Sequence, residues 1–371
     1  MKVKLGDVAN ESRETIGENK HGLPVVGLEN LTSNELTLST WSVDTENTFT
    51  KLFRKGQILF GRRRAYLKKA AVAPFDGICS GDITVIEAIS GKILLELLPF
   101  VIQNDIFFDF AIEKSAGSLS PRVKWEHLCQ FEFNLPPFTE QHKLADLLWA
   151  INSTREAYKK LLDLTDELVK SRFVEMFSQS DLPHMKIVAV CDTITDGNWI
   201  ESKDQSECGI RLVQTGNVGN GEYLDKPDRA RYISEKTFED LKCTEIFQGD
   251  ILVSRLPDPI GRACELPESE ERMITAVDCT VIRLNEQLMN NEYFITYTKS
   301  NEYAMKVSEC SRGATRQRIS RKDLENIHIA VPPLSLQNRF AEFVRQADKS
   351  KFAAQRQTKI AKFLYNNING G

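Results

Sequence analysis

Two short segments of the sequence concentrate basic side chains in a pattern typical of nucleic-acid-binding surfaces. One reads RRRAYLKK from residue 62 to 69, the other reads RGATRQRISRK from residue 312 to 322, and neither contains an acidic residue. Arginine can pair bidentately with a guanine edge or with phosphate, and a glutamine such as Gln317 can pair with adenine. For each side chain, a solvated charge or a salt bridge is the alternative. The candidate DNA-contact residues are Arg62, Arg63, Arg64, Tyr66, Lys68, Lys69, Arg122, Lys124, Arg255, Arg312, Thr315, Arg316, Gln317, Arg318 and Arg321.

No comparable pattern predicts catalysis. An adenine methyltransferase needs an Asn or Asp before its Pro-Pro-aromatic motif, whereas this chain has LPPF and VPPL, and neither leucine nor valine accepts the required hydrogen bond. The glycines at 216, 219 and 221 have the wrong spacing for a nucleotide loop. His142 and His184 are isolated, and no cysteine pair has CxxC spacing. We therefore expect no catalytic residue, no metal site and no cofactor in this chain.

Composition limits the class of protein. The 371 residues are 41% hydrophobic and carry a net charge of −4, which indicates a soluble globular protein of two or three domains. The acidic excess is expected on the first long helix, at Asp163, Asp166, Glu167 and Glu175, facing a protein partner rather than DNA. The chain start lacks the apolar core of a signal peptide, and the scattered cysteines fit a reducing cytoplasm.

The chain also repeats itself. GQILFGR at 56–62 corresponds to GDILVSR at 249–255, and GDITVIEA at 81–88 corresponds to VDCTVIRL at 277–284. In the best-matched block the offset is a constant 196 residues, and Gly117, Arg122, Leu128, Pro136, Pro137 and Gln141 fall on Gly313, Arg318, Leu324, Pro332, Pro333 and Gln337. A shared strand-and-turn pattern is the alternative, but ordered, ungapped matches favour two tandem copies of one unit.

Each copy is predicted to be an α+β domain with a mainly antiparallel sheet, followed by a long helix. Short apolar runs with period two indicate strands, and the spacing predicts helical segments over 94–115 and 291–310. A double proline ends each domain, and Thr139 and Ser335 are the expected N-caps. The predicted boundaries are 1–138 for the first domain, 139–180 for the first helix, 181–334 for the second domain and 335–371 for the second helix.

The two long helices are predicted to pack as an antiparallel coiled coil that separates the domains. Apolar residues recur at alternating three- and four-residue steps over about five heptads. A helix with one apolar stripe needs a partner, and the other helix is the nearest candidate. The alternative is that each helix lies back on its own domain. The expected seam consists of Leu144, Leu148, Ile151, Tyr158 and Leu162 in the first helix and Phe340, Val344, Ala347 and Ala354 in the second.

Two domains, each closed by PPFTEQ or PPLSLQ and a long helix, resemble the specificity (S) subunit of type I restriction–modification systems. The resemblance implies a non-catalytic, double-stranded-DNA-binding subunit with two target-recognition domains that read a split, asymmetric site. It implies that the helices space the domains and dock methyltransferase subunits, two in number, and that restriction/translocase subunits can join. S-adenosylmethionine and ATP would be bound by those partners. The first copy departs from the pattern because SLSP at 118–121 replaces the usual polar run.

A second function remains open at this point. A tandem-domain scaffold could bind protein or single-stranded nucleic acid through the same duplicated surface. A neighbouring gene for an adenine methyltransferase would distinguish the two. A stand-alone methyltransferase is a third hypothesis, and the missing Asn-Pro-Pro-Tyr motif argues against it.

Overall fold

Short apolar runs bounded by turns form the strands, as their alternation predicts. The protein was studied as a computed structural model, which describes residues 1–17, 22–43, 46–178, 182–313 and 317–369, with side chains up to residue 360. Contacts divide the chain into two units. The first unit consists of residues 1–162 with 353–371, and the second unit consists of residues 163–352. Each unit is therefore a mixture of sheet and helix that includes part of each long helix.

The first unit contains two four-stranded sheets and a separate antiparallel pair. Its strands are β1 (Lys2–Lys4), β2 (Ala9–Ser12), β3 (Pro24–Val26), β4 (Ser42–Val43), β5 (Lys51–Phe53), β6 (Ile58–Gly61), β7 (Ala70–Val72), β8 (Gly77–Cys79), β9 (Ile83–Ala88) and β10 (Glu132–Asn134). Its helices are α1 (Leu5–Val8), α2 (Leu98–Ile102), α3 (Asp105–Glu113), α4 (Trp125–Leu128) and the start of α5 (Phe138–Phe177). One sheet has the order β2-β9-β6-β7 and is antiparallel throughout. The other has the order β4-β3-β8-β5, in which β3 and β8 are parallel.

The second unit has a four-stranded sheet, a five-stranded sheet and an antiparallel pair. Its strands are β11 (His184–Lys186), β12 (Cys191–Asp196), β13 (Gln205–Ser206), β14 (Ile210–Val213), β15 (Tyr232–Ile233), β16 (Glu245–Ile246), β17 (Ile251–Ser254), β18 (Ala263–Glu265), β19 (Met273–Thr275), β20 (Cys279–Leu284) and β21 (His328–Ala330). Its helices are α6 (Glu235–Asp240), α7 (Asn291–Tyr297), α8 (Asn301–Cys310), α9 (Arg321–Glu325) and the start of α10 (Leu334–Asn369). The sheet orders are β12-β20-β17-β18 and β13-β15-β14-β19-β16.

The predicted duplication is confirmed by the strand order. The sheets β2-β9-β6-β7 and β12-β20-β17-β18 have the same order and the same antiparallel sense. Their central registers agree as well, since Ile58 lies opposite Ile86 and Ile251 lies opposite Ile282. Each second sheet contains one parallel pair, β3 with β8 and β14 with β19. The prediction of mainly antiparallel sheets therefore holds, with one parallel pair in each unit as a feature that the sequence pattern did not reveal.

The segments predicted as single helices are each two helices. In the first unit α2 ends at Ile102, and α3 starts after Asn104, whose side chain accepts a hydrogen bond from the amide of Ile106. In the second unit α7 ends at Tyr297, and α8 starts after Ser300, which caps it in the same way. A side chain that caps a new helix competes with continuation of the preceding helix, so the backbone turns at that residue. The apolar spacing of the sequence continues across the turn.

The long helices begin at the double prolines. Helix α5 starts at Phe138 and α10 at Leu334, so Pro137 and Pro333 occupy the capping positions and the prediction of Thr139 and Ser335 as N-caps is wrong. Proline has the φ angle of a helix start and no amide that needs a partner there. Behind each proline pair, Gln141 and Gln337 turn inward and fasten the helix to its domain.

In the first unit, the beginning of α5 lies on its own domain. Leu148 is 1% exposed and belongs to the core of the α2–α3 region. The Trp149 indole donates to the carbonyl of Glu96 at 2.9 Å, and Arg155 donates to the carbonyl of Asn34 at 2.9 Å. The alternative placement of the helix therefore describes this part of α5, and the packing of Leu148 on the second long helix stays a prediction. The apolar surface of the domain covers the apolar face of this part of α5, so a second helix is not needed to bury it.

In the second unit, the end of α5 packs against the beginning of α10. Phe340 is fully buried, and its ring centroid lies 5.5 Å from those of Phe173 and Phe177. Further along, the Lys351 ammonium lies 2.6 Å from an Asp166 carboxylate oxygen. Residue numbers rise in one helix as they fall in the other, so the two segments run in opposite directions. The residues opposite Phe340 are thus at the end of α5, beyond the predicted seam residues.

The rest of the predicted seam is largely turned inward. In the first unit Ile151 is buried, Leu144, Tyr158 and Leu162 are half-buried, and Ala354 is 1% exposed. In the second unit Val344 and Ala347 are buried. Within the described part of the chain, no helix has the length and apolar character needed to cross a membrane.

Candidate nucleic-acid interface

Asp82 brings together two of the predicted contact residues of the first unit. It follows β8 in a turn before β9, and its carboxylate accepts hydrogen bonds from Arg122 Nε at 2.7 Å and Arg122 Nη2 at 3.3 Å. Arg63 Nη1 also donates to it at 3.4 Å, and Arg63 Nη2 donates to the Ser120 hydroxyl at 3.1 Å. A backbone bridge between Arg63 and Arg122 joins the two segments. Residues that lie far apart in the sequence therefore form one cluster at the end of β6.

The electrostatics of this cluster favour charged side chains at the surface. The Arg122 guanidinium holds the pKa of Asp82 below its ordinary value, chiefly through the hydrogen bond, and Asp82 in turn raises the pKa of Arg122. The two side chains remain partly exposed, at 37% for Arg63 and 45% for Arg122. Both arginines are thus fixed by one carboxylate and still accessible to an anion or a base edge.

The hairpin between β6 and β7 presents the remaining basic residues. A short 3-10 helix, Ala65–Leu67, lies at its tip between Arg64 and Lys68, whose φ angles are 55° and 50°. This left-handed conformation turns the chain sharply on either side of Tyr66, which is 52% exposed. Arg64 is exposed as well. The tip therefore projects an aromatic ring next to a positive charge.

Other predicted contacts in the first unit already have protein partners. Lys68 forms an ion pair with Asp105 at 2.5 Å, and the Lys69 ammonium donates to the carbonyl of Leu28 at 2.7 Å. Lys124 forms an exposed pair with Glu126 at 3.2 Å. Arg62 is half-buried, and its backbone amide and carbonyl bond to Asp82 and Val123. These side chains border the cluster at Asp82 rather than form part of it.

The second unit has a looser version of the same cluster. Arg318 Nη2 lies 3.5 Å from an oxygen of Asp278, and Arg321 Nε lies 3.5 Å from an oxygen of Asp196. A backbone bridge joins Arg312 to Arg318, as one joins Ala116 to Arg122 in the first unit. Arg312, Gln317 and Arg318 are exposed. Thr315 and Arg316, two further predicted contacts, lie outside the described residues.

Arg255 has a different role from the one predicted. It is 4% exposed, its Nε lies 3.6 Å from an oxygen of Asp196, and it donates to the carbonyl of Val277. The expectation that Arg255 contacts DNA is therefore not supported, because this arginine is buried at the end of β17 and already bonds to groups of neighbouring segments. In the sequence it looked equivalent to Arg62, which is only half-buried.

The three carboxylates that hold these arginines were not predicted from the sequence. Asp82 and Asp278 lie at the same offset of 196 residues as the rest of the repeat, so a search for acids at repeated positions would have found them. Asp196 has no such signal. Two exposed apolar side chains were also missed, namely Leu119 at 91% and Trp199 at 70% exposure. They flank the clusters, since Leu119 precedes Ser120 and Trp199 follows β12.

The side chains that commonly bind metal ions are dispersed over the described ranges. Among these residues, no group of three or more His, Cys, Asp or Glu side chains is placed to hold a metal ion. What the arrangement offers is a set of arginines presented by carboxylates at the ends of the central strands, β6 and β9 in the first unit and β17 and β20 in the second. Such groups recognise phosphate or base edges by hydrogen bonds.

Chains similar to this one come from type I restriction–modification systems. The first relative is the EcoDI type I restriction enzyme specificity subunit of Escherichia coli, which is 29% identical over 129 residues, covering 33% of this chain and 28% of that protein. The solved S subunit of the type I restriction–modification system from M. genitalium has a TM-score of 0.61 at 12% identity, covering 100% of this chain and 94% of that one. A chain from a structure on complex assembly and conformational transition of the type I R-M system has a TM-score of 0.58 at 21% identity, covering 100% and 96%.

At these identities the two structural likenesses concern the fold. The matched part of the E. coli protein is 28% of its length, so that protein's activity does not transfer with the match. The family model described as "Type I restriction modification DNA specificity domain" matches a much larger part of the chain, over residues 1–164 and again over residues 185–363. Those two matches cover most of the sequence and coincide with the duplication seen in the strand order. The chain therefore belongs to the family of type I restriction–modification DNA specificity domains.

Proposed function

We propose that this chain is the DNA-recognition subunit of a type I restriction–modification complex and that each domain reads one block of a split, asymmetric DNA site. The observation that supports this most is the repeated arrangement of Arg122 with Asp82 and Arg318 with Asp278. Both pairs lie at the same position of the repeat and at the same end of the equivalent sheet. A duplicated reader with unlike loops suits a site made of two unlike blocks.

The chain contributes recognition and not chemistry. The proline motifs begin helices, their preceding residues are apolar, and the described residues offer no metal cluster. Methyl transfer and ATP-driven steps would be performed by partner subunits that bind S-adenosylmethionine and ATP. The partners are double-stranded DNA, methyltransferase subunits and restriction/translocase subunits, in the cytoplasm. A scaffold for protein or single-stranded nucleic acid is not favoured by membership of this family.

The long helices would act as the spacer between the two readers. We assign residues 1–138 and 181–334 to the target-recognition domains and 139–180 and 335–371 to an antiparallel coiled coil. The contacts of Phe340 and Lys351 with the end of α5 support the antiparallel sense. Helix α5 has 40 residues, which gives a length of about 60 Å at 1.5 Å per residue. The two blocks would lie about one helical turn of DNA apart, at ~34–36 Å, or a multiple of it.

A domain exchange tests the proposal. Residues 1–138 would be replaced by the matching domain of a family member, and the hybrid would be expressed with its methyltransferase in a host whose methylated sites are then mapped. We expect one block of the methylated site to change and the other to stay, because each domain reads its block independently. The unaltered chain is the control. A continuous palindromic site, or a change in both blocks, would contradict the proposal.

A further inference from the structure

The Arg122 guanidinium is fixed in one orientation by the way Asp82 binds it. The carboxylate takes Nε and Nη2, which lie on the same side of the guanidinium. This side-on pairing leaves the outer edge, formed by Nη1 and the second N–H of Nη2, without a contact to Asp82. The side chain keeps 45% of its surface exposed, whereas Asp82 keeps 22%. The pair therefore combines a half-buried carboxylate with an exposed arginine whose outer edge is not used by Asp82.

That outer edge has the geometry of a guanine reader. Two parallel N–H donors can bond to O6 and N7 of guanine, and this bidentate pairing is the most common specific contact of arginine with DNA. A free arginine must give up rotamer freedom to make it, and a side chain already fixed by a neighbour loses less. Phosphate oxygens can accept the same pair of hydrogen bonds, so orientation alone does not distinguish a phosphate from a base. The neighbouring carboxylate favours the base, because its negative charge weakens the attraction of the arginine to phosphate.

Neighbouring contacts hold the pair in place. The amide of Arg122 donates to the carbonyl of Ala116 and its carbonyl accepts from Ala116, so the backbone at this position is paired on both sides. Gly117 supports the turn with a φ angle of 115°, as Gly313 does at 117° in the second unit. Arg63 Nη1 also donates to the Asp82 carboxylate, at the same Oδ2 that accepts from Arg122 Nη2. Orientation at Arg122 is therefore set by backbone and side chain together.

We propose that Asp82 is a positioning residue that presents the outer edge of Arg122 to a guanine in the block read by the first domain. The inference rests on the proposed function and adds the base and the residues that recognise it. Asp278 does the same for Arg318 in the second domain, with a weaker effect. There the contact is a single Nη2 to carboxylate distance of 3.5 Å, so Arg318 is less fixed.

The test uses the full chain together with its methyltransferase subunits and a library of duplex DNA in which the bases are randomised. Selected sequences are counted for the wild type, Asp82→Asn, Arg122→Ala and the double variant. In the wild type we expect one guanine in one block that depends on Arg122. Asp82→Asn should reduce the preference for that guanine about 5- to 100-fold, in the range of one bidentate contact, and leave the other block unchanged. In the Arg122→Ala background, Asp82→Asn should change nothing further, since the two act as one unit.

Asp105→Asn is the matched control, because it removes another acid paired with a basic residue of the same hairpin and does not touch Arg122. Its selected sequences should equal those of the wild type. Melting temperatures of all variants separate a folding defect from a loss of base preference. Uniformly weaker binding to every sequence, with a shallower salt dependence for Arg122→Ala, would overturn the inference in favour of a phosphate contact. Unchanged base preference in Asp82→Asn would overturn it as well.

Failure of the proposed function looks different. A wild-type complex that selects no split site at all would contradict both the function and the inference, before any variant is compared. A wild-type complex that selects a split site without an Arg122-dependent guanine would contradict the inference alone. Asp278→Asn then extends the test to the second domain, where we expect a smaller loss of preference in the other block only.

Discussion

The hairpin after β6 in the first unit and the hairpin after β17 in the second unit start from the same place in the repeat and use arginine in opposite ways. In the first, Arg64 and Tyr66 stand at an exposed tip. In the second, Arg255 is buried, and Arg262 donates to the backbone carbonyls of five residues, Thr215, Val218, Leu256, Pro257 and Pro259. Burial lowers the pKa of Arg262. One hairpin presents its charge to solvent, and the other uses its charge to build a loop.

The difference shows which parts of the repeat are constrained. Both units share the sheet order, the positive-φ glycine at 117 and 313, and the glutamine behind the double proline. These shared features form the frame of each domain. The hairpins differ in sequence, exposure and hydrogen bonding. Because loops carry recognition on a rigid scaffold, unlike hairpins on one frame indicate unlike targets. Equivalent frame positions should then respond alike to substitution, except where the second unit is more tightly packed.

The largest difference is expected at the first buried turn of the long helices. Phe340 and Leu144 are equivalent by the 196-residue offset, but Phe340 is fully buried between two aromatic rings and Leu144 is half-buried. Phe340→Ala should cost about 3–5 kcal/mol because it leaves a cavity. Leu144→Ala should cost about 1–2 kcal/mol, since less apolar surface is lost. Urea unfolding of both variants checks this, and equal losses would show that the two helix starts are packed alike.

A smaller difference is expected at the paired glutamines. Gln337 accepts from the amide of Asn290 at 2.9 Å and donates to the carbonyls of Leu288 at 3.0 Å and Pro332 at 2.7 Å. Gln141 accepts from Leu94 at 2.8 Å and donates to Pro136 at 3.1 Å.

Gln337→Ala leaves more buried groups without a partner and should cost about 2–3 kcal/mol, against about 1–2 kcal/mol for Gln141→Ala. The free energy of unfolding of each variant measures the difference. If only one of the two substitutions destabilised the protein, the two glutamines would not have the same role in the two units.

The smallest effect concerns pH. Burial raises the pKa of Glu292, and the nearby carboxylates of Glu265 and Asp348 add to the rise, while Lys299 and Arg345 oppose it. A folded state that keeps this proton to higher pH than the unfolded chain loses stability as pH rises above the ordinary range of the group.

Glu292→Gln removes this titration. Between about pH 5 and about pH 7, the melting temperature of the variant should therefore fall less than that of the wild type. Glu96→Gln, at the equivalent exposed position of the first unit, is the control and should change stability by less than about 0.5 kcal/mol. A Glu292→Gln variant whose melting temperature depends on pH in the same way as that of the wild type would contradict a raised pKa of Glu292.

Repeated positions were the part of the fold that sequence could predict. The match of Gly117 with Gly313 and of Gln141 with Gln337 foretold equivalent backbone turns and helix starts, because such positions need one residue type for one geometry. Helix interruptions at Asn104 and Ser300 were missed, since the apolar period continues across them. Basic clusters were found by composition. Their carboxylate partners were not, because Asp82 approaches Arg122 only after the sheet has folded.

The same limit explains Arg255 and the long helices. Arg62 and Arg255 occupy matching positions in GQILFGR and GDILVSR, and burial distinguishes them only through the fold around Asp196. The stripe of α5 was assigned to one partner, but its apolar residues are shared between a domain core and a second helix. Periodicity gives the face of a helix that is buried and does not identify what covers it.

The distribution of the cysteines has a practical consequence for experiments that follow the protein in solution. All eight are free thiols, and of these Cys208 is the exposed one. Burial raises the pKa of Cys79, Cys191 and Cys264 to about 12 and that of Cys279 to about 11, so these thiols stay protonated at neutral pH. Because the thiolate is the reactive form, a maleimide dye should attach first at Cys208. A fluorophore could then be placed on the second unit without engineering the sequence.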